Sequence, residues 1–72
     1  MYNSESWYEK QDATIRNAYP YVGPQVCEAA KKFAADLGLK VRYYNVYTDN
    51  WQLSDGEEYS TELITKTVNR LG

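Results

Sequence analysis

Leu39-Lys40-Val41-Arg42-Tyr43-Tyr44-Asn45-Val46-Tyr47-Thr48 decides the fold class, because three tyrosines and two valines in ten residues are strand-forming chemistry. Aromatic and β-branched side chains suit a pleated, half-buried surface. Read with a period of two, Leu39, Val41, Tyr43, Asn45 and Tyr47 face one way, and Lys40, Arg42, Tyr44, Val46 and Thr48 the other. The first set makes the better core. The second would then present Lys40, Arg42 and Tyr44 outward as two cations beside a ring.

Upstream of the strand lies the clearest helix. Pro24 suits a first helical position, and Val26, Ala30, Phe33 and Leu37 recur at helical spacing. Gly38 supplies a left-handed terminus against which Leu39 can fold back. Further upstream, Ser6-Trp7-Tyr8-Glu9 matches a capping box and predicts a helix from about Trp7 to Ala18. Its stripe would be Tyr8, Ile15, Ala18 and Tyr19. Pro20 should stop it, leaving Tyr19–Pro24 as a stiff aromatic connector that includes Tyr21.

Downstream, Thr48-Asp49-Asn50 reads as a turn, and Trp51-Gln52-Leu53 returns as a short second strand. Ser54 or Asp55 then caps a third helix, with Glu57 and Glu58 in its positively polarised first turn. Ile64, Val68 and Leu71 form its face, with Leu63 and Tyr59 at the edge, although an extended form of residues 57–71 competes. The expected architecture is α+β: one small domain over residues 1–72, ordered α-α-β-β-α, with helices packed on a short β-hairpin. A two-stranded hairpin is marginal alone. Either the helices shield it or a second chain extends it, which makes a homodimer through the Val41–Tyr47 strand edge a stated expectation.

Composition narrows the chemistry. Eight tyrosines, two tryptophans and one phenylalanine supply burial that a 72-residue core otherwise lacks. The net charge of −2 divides unevenly. Residues 1–30 and 49–72 are acidic, whereas Lys31, Lys32, Lys40 and Arg42 outnumber Asp36 in the basic middle. The lone cysteine, Cys27, forms no internal disulfide and reads as a buried helix residue. The N-terminus has no basic region followed by an apolar run, and no segment has membrane-spanning length, so a cytoplasmic location without membrane contact is expected.

With no histidine and a single cysteine, the usual nucleophilic triads and zinc sites lack their parts, so neither catalytic residues nor a cofactor or metal is expected. The four glycines are isolated and form no phosphate loop. Asp55-Gly56-Glu57-Glu58 faintly resembles a calcium loop but lacks its spacing.

Interface cores favour tyrosine, tryptophan and arginine. The expected function is therefore a small non-enzymatic protein-binding module. Its partner-binding residues would be Lys40, Arg42 and Tyr44, with Trp51 beyond the turn and Tyr21 on the connector. An equal reading has Trp51 closing the hairpin on the third helix. In size and composition alone the chain resembles the small proteins of bacteriophages and mobile elements that inhibit or modulate one host protein. Two other readings compete: weak single-stranded nucleic-acid binding through Lys40–Tyr47, and capture of a nucleotide-like ligand between protomers.

Overall fold

The computed structural model describes residues 8–71, the last of them by backbone alone. The elements described in full are α1 (Ala13–Asp36), β1 (Val41–Asn45), β2 (Asn50–Leu53), β3 (Glu58–Ser60) and α2 (Thr61–Leu71). The class is α+β. The sheet is antiparallel with strand order β1-β2-β3, so it has one strand more than the expected hairpin.

Ser6 and Trp7 of the predicted capping box lie outside the described residues, and the helix predicted from about Trp7 does not run on unbroken, since residues 10–12 are not helical. Within them, Asp12 caps α1, its Oδ1 accepting the Ile15 N–H at 3.1 Å. Pro20 does not stop this helix. The turns continue through Tyr19-Pro20-Tyr21-Val22, and the break comes at Gly23, whose φ of 81° and ψ of 172° suit only glycine. Tyr19 packs against the core, and its ring meets Tyr8 edge-on at 5.5 Å. That packing outweighs the local preference of a residue before proline. Pro24 then opens the second arm, as its position implies.

Both arms of α1 line the core, Ile15 and Ala18 from the first and Cys27, Ala30, Phe33 and Ala34 from the second. Leu37 was expected on that face but is the C-cap, past the last helical residue, and stands exposed. The end itself follows the sequence closely. Gly38 takes a φ of 73°, the Leu39 N–H reaches the Ala34 carbonyl at 2.8 Å, and the Gly38 N–H reaches Ala35 at 3.0 Å. Leu39 packs back onto the core.

β1 departs from simple alternation. Val41 pairs with Leu53, but Tyr43 pairs with the next residue back, Gln52, so Arg42 is an extra residue in a one-residue bulge. A bulge exchanges the faces of all that follows. Val41 packs inward, Arg42 and Tyr43 are both exposed, and Tyr44 rather than Tyr43 turns to the core. The cause is visible on both sides of the strand. Tyr44 stacks at 4.7 Å on fully buried Trp51, and the Thr14 hydroxyl donates to the Arg42 carbonyl at 3.1 Å.

The third strand replaces the start of the predicted third helix. Ser54-Asp55-Gly56 is a three-residue hairpin loop, closed by Gly56 N–H to the Leu53 carbonyl at 2.9 Å and Leu53 N–H to the Glu57 carbonyl at 3.1 Å. Gly56 has a φ of 84°, the left-handed position such loops require. The Asp55 carboxylate accepts the Glu57 N–H at 2.9 Å and the Tyr59 hydroxyl at 2.8 Å, so it serves the loop and not a helix. Ser60 is the true cap of α2, accepting the Leu63 N–H at 3.0 Å. Residues 57–71 thus divide between strand and helix. The α2 face holds in part: Ile64 is fully buried and Val68 packs beside it, while Leu63 is exposed.

Candidate interaction surface

The turn between β1 and β2 begins at Asn45. Its side-chain oxygen accepts the Tyr47 N–H at 2.9 Å, and its carbonyl accepts the Asp49 N–H at 2.8 Å. Asp49 closes the turn with a φ of 58°, a left-handed conformation that a short polar side chain tolerates. Between them Val46 and Tyr47 are forced out of the strand. Tyr47 is 95% exposed and Val46 40%.

The base of the turn is held by a chain of side-chain hydrogen bonds. The Tyr44 hydroxyl donates to Asp49 Oδ1 at 2.6 Å, and the Thr61 hydroxyl donates to the same oxygen at 2.7 Å. Thr61 Oγ1 in turn accepts the Trp51 indole N–H at 2.9 Å. The Thr61 N–H also reaches the Asp49 carbonyl at 3.0 Å, which ties the turn to the start of α2. Burial, and secondarily the bond to Asp49, push the Tyr44 phenol up to about 12. Tyr44 therefore stays a neutral donor throughout the physiological range. The network ties the base of the turn to the start of α2 and to the core tryptophan.

The face of the sheet away from the core carries Tyr43, Gln52 and Glu58 in one cross-strand row, and Asn45, Asn50 and Ser60 in the next. Arg42 and Tyr43 stand together at the bulge, and Tyr43 is 44% exposed. β1 therefore presents Arg42 and Tyr43 to solvent, and the turn that follows it adds Val46 and Tyr47. Among the described residues no group of three histidine, cysteine, aspartate or glutamate side chains could hold a metal ion. Cys27 is fully buried, with its thiol pushed up to about 11 chiefly by that burial.

The five residues expected to meet a partner fall into different places. Arg42 is exposed at the bulge, and Lys40 is exposed at the opposite end of β1 from the turn. Tyr44 spends its ring on Trp51 and its hydroxyl on Asp49. Trp51 has no accessible surface, and its bond to Thr61 closes the hairpin onto the start of α2, which was the second of the two readings of this residue. Tyr21 is exposed on α1, just before the Gly23 break. Sequence reasoning placed Tyr43 and Tyr47 in the core, and the bulge and the turn reverse that. A signal for the turn was present: Asn45 and Asp49 sit four apart and flank it, which ends the strand before Val46.

No protein-family model matches this chain, and no curated protein or solved structure matches it. Among the described residues no helix is long and apolar enough to cross a membrane.

Proposed function

We propose that this protein is a small binding module without catalysis of its own, which docks on a protein partner through Arg42, Tyr43, Val46 and Tyr47. The observation that carries this reading is Tyr47, held almost wholly in water at the tip of a turn whose base is rigidly bonded. Scattered exposed apolar residues are ordinary, but here two tyrosines, a valine and an arginine stand exposed within the six residues 42–47. Tyrosine and arginine are the residues that most often anchor interfaces, because each offers broad contact with a polar tip. A role as inhibitor or modulator of a host protein is the narrower form of this proposal.

Docking by side chains is favoured over strand addition. An edge strand recruits another strand through its free N–H and C=O groups. In β1 the bulge breaks that row, and Thr14 already occupies the Arg42 carbonyl. A homodimer through this edge is accordingly the weaker form of the proposal. The competing single-strand reading uses the same tyrosines, stacked on bases.

The test is retention of a partner from nuclease-treated lysate by the wild-type chain and by an Arg42→Ser/Tyr43→Ser/Tyr47→Ser variant. Retention of one protein by the wild type, lost in a variant of unchanged melting temperature, supports docking at this surface. Recovery of nucleic acid alone, with affinity that collapses as salt rises, transfers the surface to single-strand binding.

A further inference from the structure

At the opposite end of β1 from the turn lies a cleft of about 370 Å³, bounded by Lys10, Gln11, Asp12 and Ile15, by Lys31 and Ala34, and by Leu39, Lys40 and Val41. Three lysines therefore line one concavity, although they come from the segment before α1, its second arm and the approach to β1. Ile15 and Ala34 form an apolar floor. Lys31 is positioned by Gln11, whose Oε1 accepts its proton at 2.6 Å, and lies 3.4 Å from Glu28. The Lys10 and Lys40 ammonium groups make no hydrogen bond or ion pair among the described residues. Asp12, the one acid in the lining, has Oδ1 engaged by the Ile15 N–H of the helix it caps.

We propose that this cleft binds a small phosphate-bearing molecule within a single copy of the chain. Like charges around a concavity with low-dielectric walls focus the field there and concentrate a counter-ion. Lysine serves phosphate as a mobile point charge with three donors, so the uncommitted ammonium groups of Lys10 and Lys40 can meet a tetrahedral group without a fixed fork geometry, with Lys31 held beside them. The volume is at the small end for ligand sites, which favours a phosphomonoester or pyrophosphate over a dinucleotide. The apolar floor suits the carbon body of a phosphomonoester. This site is independent of the Tyr47 surface, and either can fail without the other.

The experiment is an amide chemical-shift titration of the whole chain at constant ionic strength with inorganic phosphate, pyrophosphate and adenosine monophosphate, each in turn. The expected result is saturating shifts confined to residues 10–12, 31 and 39–41. Lys10→Gln and Lys40→Gln should each weaken the affinity about tenfold, the scale of one hydrogen bond to a charged group. Lys66→Gln and Tyr47→Ser should leave it unchanged. Tighter binding of adenosine monophosphate than of inorganic phosphate assigns the floor to the organic body, and equal binding assigns the site to the phosphoryl group alone. Shifts that drift without saturating, spread over Lys32 and Lys66, or persist equally in both cleft variants overturn the proposal.

Discussion

The two turns of the sheet are built on the same device and end in opposite surfaces. In each, an aspartate receives a tyrosine hydroxyl: Asp49 from Tyr44 at 2.6 Å, and Asp55 from Tyr59 at 2.8 Å. In each, one residue takes a left-handed backbone, Asp49 in the first and Gly56 in the second. The second turn exposes only Ser54, Asp55, Gly56 and Glu57, which is the usual chemistry of a loop. The first exposes Val46 and Tyr47 instead. The second turn closes without apolar residues, so closing a turn of this sheet does not by itself call for them. Side chains that closure does not call for and that are costly to expose are available for a partner.

The turns also differ in what they hold. Asp49 reaches through Thr61 to Trp51, the centre of the core, whereas Asp55 bonds its own loop and Tyr59. The largest effect is expected from Trp51→Ala, which removes the fully buried ring against which Tyr44 packs. Its cost should be about 3–5 kcal/mol, enough to leave so small a domain largely unfolded by circular dichroism.

Next in size is the contrast between the aspartates. Asp49→Ala deletes the acceptor of two hydroxyls and places an alanine in a left-handed backbone, costing about 3 kcal/mol. Asp55→Ala, at an exposed loop, should cost about 1 kcal/mol in the same urea titration. Equal costs would mean that the Asp49 chain is not the stronger anchor.

Alkaline pH sharpens the same point. The Tyr44 pKa is raised in the folded protein, from about 10 in a free side chain to about 12. Its contribution is therefore complete below about pH 10 and is lost as pH rises through about 12. Tyr59 is raised in the same direction, first by its bond to Asp55. Stability followed by fluorescence should fall across this window, and Tyr44→Phe should flatten the fall while lowering stability at neutral pH.

Smallest of all is the effect at the tip. Tyr47→Ser should change stability by no more than about 0.5 kcal/mol, as for any surface residue that packs against nothing. A larger loss would give Tyr47 a structural role and remove the basis for reading the first turn as an interaction site.

Much of this fold was legible because its signals are local. Pro24 opening a helical arm, Gly38 and Leu39 ending it, Trp51 and Leu53 alternating around Gln52, and Ile64 on the last helix all follow from residue chemistry over a few positions. Three features were hidden by longer-range causes. Pro20 remains helical because Tyr19 is packed. Arg42 bulges where Trp51 draws Tyr44 inward and Thr14 takes a carbonyl, contacts that no period of two contains. The third strand was obscured because Asp55 and the two glutamates that follow suit a helix start as well as a hairpin. The decisive sign was the Asp55-Gly56 pair, a hairpin signal in its own right. For the surface, Arg42 was correctly placed outside, but one bulge and one turn exchanged Tyr44 for Tyr43 and Tyr47.

The most direct test gives the first turn the polar character of the second, through Val46→Ser together with Tyr47→Ser, and compares it with the wild type. Both chains are used as bait in nuclease-treated lysate, with their melting temperatures measured side by side. A chain that melts as the wild type does but no longer retains the wild type's protein partner is the predicted result. Undiminished retention of that partner, or a marked fall in melting temperature, would contradict the account.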